Sequence, residues 1–500
     1  MFWEALELNE VSTARPNAAR PPDDNQRIAI LPLDNISSDS RDEYFAEGMT
    51  EELISVASRI KGLGVIARTS VARYKGTTKS IAEIARELNV GTVLEGSVRK
   101  AGNKVRITVQ LINAKTEEHV WAQTYDRELE DVFAIQSEIA QRIARSLKVR
   151  VLKSEKLGLE KSPTDSTEAH SEYLRGRHSL SNRTEEGARK ALEHFERAVR
   201  HDSKYALAYT GMADAYAVLA LLEVVAPKDA FPKAREAARK ALEIDPKLAE
   251  AHASLGLVSF QYDWDWPAAE NEFKQAVELN PNYPPAHQFH ADFLKALGRF
   301  DEALAEMGRA HALDPLSLVI NTGIGHVLYL SRQYDRAIEH YGALVKHDPN
   351  FLQARLWFGR PYLQKGMFKE AISELEEAVR LSSSSTISLA MLGQAYAAAG
   401  RKKDMEEIRQ KLLERSKHQY VPSYWMALLY VGLRDKDQAF HWLERAFEER
   451  SSWLVWADVE PRFDVLRSDS RFHSLMARMK LGRQKERELG LRGWIKGPGK

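Results

Sequence analysis

The sequence predicts two architectures in series: an α+β unit built on a mixed sheet, then an all-α superhelix, or α-solenoid. Residues 27–152 alternate short β-rich runs with amphipathic helical runs. From about residue 169 the pattern changes to a period of roughly 34 residues, and Asp245-Pro246, Asn280-Pro281, Asp314-Pro315 and Asp348-Pro349 punctuate it. A chain of 500 residues is also too long for one hydrophobic core, so several units or a repeat array are expected.

Residues 1–26, with Pro16, Pro21 and Pro22 among Ala, Arg, Asp and Asn, read as a flexible leader. RIAILPL is a short apolar strand, and behind it Phe45, Met49, Leu53, Val56 and Ile60 share one helical face. GLGVIARTS reads as a second strand, and SIAEIARELNV as a short helix with Ile81, Ile84, Ala85 and Leu88 inward. Three alternating runs, separated at Ala101-Gly102-Asn103 and Ala114-Lys115-Thr116, form a meander. DVFAIQSEIAQRIARSL closes the unit. The order β-α-β-α-β-β-β-α gives one mixed sheet with packed helices. Residues 153–168, polar and broken by Pro163, read as a linker.

In residues 169–451 a small residue stands ten positions after each Pro, at Gly256, Ala291, Gly325 and Gly359, and the series continues at Gly393 and Ala427. Later in each unit two alanines flank a bulky residue, as at Ala303 and Ala310, Ala371 and Ala378, Ala439 and Ala446. Small residues let paired helices approach closely, and each Asp/Asn-Pro pair stops one helix and pre-sets φ for the next. One such hairpin cannot bury its faces alone, so the units stack. The pattern resembles the tetratricopeptide repeat (TPR), in about eight units starting near residues 169, 205, 248, 282, 316, 350, 384 and 420. Residues 452–480, with Phe463, Leu466, Phe472 and Leu475, are expected to cap the array, and 481–500 form a flexible basic tail. Two departures stand out. The second unit carries the insertion VLALLEVVAPKDAF, and Pro361 falls inside the first helix of the sixth, where a kink costing about 3 kcal/mol would open the groove.

The N-terminal unit resembles the TolB-like region that bacterial signalling proteins place ahead of TPR arrays. The likeness runs through RIAILPLDNIS, DEYFAEGMTEELISVASRI, VIARTS, RYKG, IARELNVGTVLEGSVRKAGNKVRITVQLINA and HVWAQTYDRELEDVFAIQSEIAQRIA. YDWDWPAAENEFKQAVELNP and WLVWADVEPRFDVLRSDSRF resemble the same subgroup. In that family the two modules follow an effector: a winged-helix DNA-binding domain, a class III adenylate cyclase domain or a protein kinase. With 26 residues ahead of the first strand, the expectation is a sensor-and-scaffold half without its output half.

Composition narrows the function. Lys+Arg 72 against Asp+Glu 71 leaves a net charge of +1, so no global field recruits nucleic acid or an acidic membrane. Cysteine is absent, which excludes disulfides, thiolate metal sites and cysteine nucleophiles. No run of about 18 apolar residues occurs, and a cytoplasmic location is expected. Leu33 to Asp42 contains no glycine, unlike a phosphate-binding P-loop. Asp34, Asp39, Asp42 and Glu43 sit on a polar run without fixed geometry, so this loop reads as a turn in which Ser38 or Ser40 helps start a helix. His287 and His290 have a zinc-compatible spacing, but no Glu follows the first His to act as a base, and both occupy repeat packing positions. Gly96 and Gly102 read as a strand and a hairpin glycine. No catalytic residue, cofactor or metal ligand is expected.

The TPR resemblance places an inner groove on first-helix positions two, five, nine, twelve and thirteen. Here these include Tyr173, Arg177, Asp214, Gln288, Asp292, Lys295, His326, Tyr329, Arg360, Gln364 and Gln394. Such a lining suits a partner peptide or helix. The Lys/Asn set with which TPRs clamp a C-terminal carboxylate is not in register. The expectation is a non-enzymatic bacterial scaffold or sensor with a protein partner and no direct nucleic-acid contact; oligomeric state stays open. The alternative is the regulatory half of an adenylate cyclase or winged-helix regulator whose effector is encoded separately or lost.

Overall fold

A computed structural model describes residues 26–481 apart from Ser38, Ser40, Arg41 and Asn182. Nearly all of the expected leader and basic tail, and both candidate turn serines, lie outside the described residues.

The sheet forms where the apolar runs are, in the order β3 (Gly64–Val65), β1 (Arg27–Ile30), β4 (Thr92–Ala101), β5 (Lys104–Asn113) and β6 (His119–Glu128). β1 lies parallel to β3 and to β4. β4, β5 and β6 make the antiparallel meander. Gly102 supplies the positive φ of the β4–β5 turn (61°), which glycine adopts without strain. Gly96 is a glycine for another reason, since a Cβ there would meet the Thr108 carbonyl at 2.1 Å. Helices α1 (Glu43–Ser58), α2 (Arg68–Val71), α3 (Ile81–Leu88) and α4 (Val132–Ser146) complete the unit. Ser80 and Glu83 form a capping box on α3, with bonds of 2.8 and 3.2 Å. Two details differ from the sequence reading. GLGVIARTS is strand for two residues and then turns helical at Arg68. The loop after β1 contains a further strand, β2 (Asp34–Asn35), parallel to Ser97–Val98 of β4.

The expected linker is also structured. Lys153–Glu160 forms helix α5, whose Glu155 side chain turns back to accept from the Leu152 amide (2.7 Å). Eight helical hairpins follow among the described residues. They pair α6 (Thr167–Ser181) with α7 (Glu185–His201), α8 (Ala206–Leu221) with α9 (Pro227–Ile244), α10 (Ala249–Val258) with α11 (Trp266–Leu279), and α12 (Pro284–Ala296) with α13 (Phe300–Leu313). The last four pair α14 (Leu318–Leu330) with α15 (Tyr334–His347), α16 (Leu352–Gln364) with α17 (Phe368–Leu381), α18 (Thr386–Ala398) with α19 (Lys402–Arg415), and α20 (Ser423–Gly432) with α21 (Lys436–Glu448). The fold class is therefore α+β followed by an α-solenoid.

The small-residue series sets the hairpin spacing. A Cβ on Gly256 would lie 2.8 Å from the Phe273 ring, and one on Gly325 would lie 2.5 Å from Tyr341. Each ring comes from the second helix of the same hairpin, between the repeat's alanine positions. Pro361 does not break α16, which runs on to Gln364.

The two parts share one core, which passes from the sheet through α6 and α7 to Tyr205 and Leu219. The Asp/Asn-Pro junctions add polar contacts. Asn280 donates to Ser58 Oγ (3.1 Å) and Asn282 to the Ser58 carbonyl (2.9 Å), while Ser70 donates to Asp314 and Arg27 donates to the Ala312 carbonyl (2.6 Å).

The far end of the array returns to its beginning. Glu223, in the insertion after α8, accepts from Trp425 Nε1 of α20 at 2.9–3.0 Å, and Arg450 stacks on Trp264 at 4.2 Å. Burial raises the Glu223 carboxyl to about 8, against the pull of the Trp425 and Trp453 indoles.

Gly325→Ala should destabilise the chain by about 1–2 kcal/mol in chemical denaturation, because overpacking against Tyr341 exceeds the helix-propensity gain of losing glycine. Glu223 binds its proton more tightly folded than unfolded, so its contribution is complete below its unfolded value near 4.5 and is lost as pH rises through about 8. In urea unfolding, Glu223→Gln should therefore leave stability unchanged near pH 4.5 and raise it near pH 9, by about 1–3 kcal/mol after allowance for the site's partial exposure.

Candidate functional site

The first-helix residues that the TPR resemblance assigns to a groove meet three different fates. Six of them, Asp292, Lys295, His326, Tyr329, Arg360 and Gln394, are covered by the segment that follows α21. That segment, expected from the sequence to cap the array, reaches back over several of its hairpins. Two 3-10 turns, at Ser452–Trp456 and Pro461–Leu466, lie across first helices of the preceding repeats, and helix α22 (Ser470–Arg478) packs on α21. The Trp456 indole donates to the Asp292 carbonyl (3.3 Å) and lies under Lys295 Nζ at 5.2 Å. Trp266 Nε1 donates to the Met479 carbonyl (2.9 Å).

Two arginines and a glutamate sit at the centre of this contact. Arg462 grips Glu460 through two bonds of 2.9 Å and donates to Gln394 Oε1 (3.1 Å), while Tyr329 donates to Glu460. Burial alone would raise the Glu460 carboxyl, but Arg462 overrides it and holds the group at about 2. Arg360 lies over the Trp357 ring, 3.8 Å from its centroid, 3.9 Å from Glu460 and 3.2 Å from His326 Nε2. Burial and the neighbouring Arg462 lower it to about 10. Tyr329 and Arg360 are each 1 % exposed, so neither is open to a partner in this state. The face of α16 next to Pro361 is occupied by the chain itself, with Trp453 packed on Trp357 and lying under Arg360.

Tyr173, Arg177, Asp214 and Gln288 instead line a cavity of about 840 Å³ between α1 and the first helices α6, α8, α10 and α12. Arg177 pairs with Glu51 of α1 and lies 3.9 Å from Asp214, which accepts from Ser254 Oγ (2.7 Å). Burial raises Asp214, opposed by Arg177 and Ser254. Gln364 is half-buried and outside this cavity. Sequence reasoning missed Glu51, Glu250 and Tyr283 on the same wall, since Glu51 belongs to the other module and the two others precede or begin their helices.

His287 spends both ring nitrogens inside the protein, Nδ1 on Glu306 (2.7 Å) and Nε2 at the Pro281 carbonyl (2.9 Å). His290 is buried against Phe273, and burial lowers it to about 4. Among the described residues no three His, Asp or Glu side chains gather as a metal site, and no helix is long and apolar enough to cross a membrane.

Fold and site together define an α+β domain seated against a tetratricopeptide solenoid. Residues 24–142 match the family described as "HilA/YgeH-like transcriptional regulator, second domain", and residues 328–382 match the tetratricopeptide repeat. The chain thus carries a HilA-like domain at its N-terminus followed by TPR repeats. "Putative adenylate cyclase 3" of Rhizobium meliloti (strain 1021) is 34% identical over 301 residues, 58% of this chain and 44% of that protein. "Transcriptional regulator HilA" of Salmonella typhimurium is 25% identical over 319 residues, 63% of this chain and 55% of that protein. The chain spans about half the length of these curated relatives. Among solved structures, the thermophilic TPR protein TTC0263 of Thermus thermophilus aligns over 39% of this chain and 99% of its own (TM-score 0.34, 19% identity). The human IFIT1 dimer with PPP-AAAA aligns over 73% and 82% (TM-score 0.42, 17% identity).

Arg462→Met would leave the buried Glu460 with only the Tyr329 hydroxyl and Arg360 at 3.9 Å, a loss of up to about 3–5 kcal/mol for a buried charge stripped of its main partner. Urea unfolding monitored by tryptophan fluorescence should show it, with the signal of the Trp453 and Trp456 region changing first.

Proposed function

We propose that the chain is a non-enzymatic regulatory scaffold whose TolB-like, HilA-related domain and TPR solenoid together receive a protein partner in the cytoplasm. One observation carries this reading. Of the first-helix residues facing inward, Tyr173, Arg177, Asp214 and Gln288 keep open space in front of them, where the other end of the array is filled by its own chain. A wall of aromatic, amide and paired charged groups on rigid helices supports recognition of a peptide or helix side chain. The names of the relatives favour a second layer of the same reading, in which the chain acts as the regulatory half for a transcriptional or cyclase effector. An in-frame effector segment upstream of Met1, or an adjacent effector gene whose product co-purifies, supports that layer.

A photo-crosslinking amino acid placed at Gln288 should yield a discrete adduct in the native cell, and the adduct should fade when Arg177→Ala is added. The same group at exposed Lys403, on α19 and away from the cavity, serves as the control. Equal yields at both positions, or adducts at Lys403 alone, would refute the cavity as the receiving surface.

A further inference from the structure

The geometry points to a cationic head group on an apolar stem as the occupant of the cavity between α1 and the first TPR helices. The inference rests on the reading that this cavity is the receiving site. It adds the chemistry of what is received.

The polar wall is unevenly satisfied. Glu51 and Asp214 already share the Arg177 guanidinium, and Arg68, 3.7 Å from Glu51, is also bonded to Glu47 at 3.2 Å. Glu250, in the first turn of α10, has no ion pair and no side-chain hydrogen bond among the described residues, yet it lines the same cavity and acts electrostatically on Asp214, Tyr173 and Tyr283. Arg183 also acts on Asp214 and lines the cavity, but makes no ion pair with Glu250. Tyr173 is 7 % exposed, and its hydroxyl has no hydrogen-bond partner among the described residues; its ring contacts are Phe195 and Tyr205. The Tyr283 hydroxyl and the Gln288 amide line the cavity in the same unpartnered way.

Polar groups that line a partly open cavity without protein partners are the kind of groups that orient a ligand. Their chemistry selects its charge. A free carboxylate, two phenol oxygens and an amide oxygen can all accept from an ammonium or guanidinium, and the two tyrosine rings add cation–π attraction. Beside Glu250 and Asp214 an anionic ligand would find Arg177 already engaged, although half-buried Arg59 and exposed Arg73 and Arg183 also line the cavity without ion pairs among the described residues, so the two probes below decide between the charges. The remaining wall is mixed, and its apolar part includes Ile54, Leu174, Val218, Leu257, Phe289 and Ile320, on which a hydrocarbon stem can lie. A volume near 840 Å³ exceeds what a lone cation needs and falls in the range of small-molecule and side-chain pockets. The same chemistry is carried by a free arylalkyl or alkyl amine and by a lysine side chain of a partner.

Calorimetric titration of the full chain with phenethylammonium and with the size-matched phenylpropionate tests the inference. Phenethylammonium should bind at least tenfold more tightly than phenylpropionate. Glu250→Gln should weaken it at least tenfold with an unchanged thermal midpoint, and Glu250→Asp should restore most of the affinity. A blocked Leu-Lys-Leu peptide that displaces phenethylammonium assigns the head group to a partner's lysine, and failure to displace assigns it to a free amine. Equal or tighter binding of phenylpropionate overturns the cationic assignment while leaving the cavity as the receiving site. Binding of neither probe, with the Gln288 adduct intact, also overturns only the ligand class; loss of the adduct as well removes the underlying reading.

Discussion

The contact between a small residue on one helix and a ring or branched chain on the next governs this molecule. Gly256 against Phe273, Gly325 against Tyr341 and Gly359 against Leu375 leave no room for a single methyl group. That closeness fixes how the two helices of each hairpin lean on one another, and so the shape of the unit that stacks on its neighbours. Repeated over eight hairpins, a fixed lean becomes curvature, and the curvature brings Trp425 and Arg450 back to Glu223 and Trp264 of the second and third units.

The residues that end each helix have a second use. Asn280, Asn282 and Asp314 stop a helix at the repeat boundary, and they also hold Ser58 and Ser70 of the α+β domain. Asp314 illustrates the cost, since burial raises its carboxyl to about 6 despite the hydroxyls around it. The domain is thereby keyed to the spacing of the repeat junctions.

Much of this was legible from residues alone. A period near 34 with its glycines and Asp/Asn-Pro pairs predicts the hairpins because it records contacts between neighbours in sequence. Alternation and turn residues predict the meander for the same reason. Contacts across more than a hundred residues leave no periodic trace, and there the reading failed: Tyr329, Arg360 and Gln394 belong to an internal seam with Glu460 and Arg462. One signal was available, since Trp453, Trp456 and Phe463 within eleven residues are more aromatic surface than the end of a solenoid needs to cover itself. The linker was misread because polar composition concealed Glu155, which closes a turn of helix locally.

An open stack of helical pairs behaves like a coil spring, lengthening by small rotations at every joint. Here the indole bonds to Glu223 tie the second hairpin to the eighth, and stretching would have to break them. The array is therefore a latched hoop, and any mechanical signal it carries must travel as a change in how the seated domain is gripped.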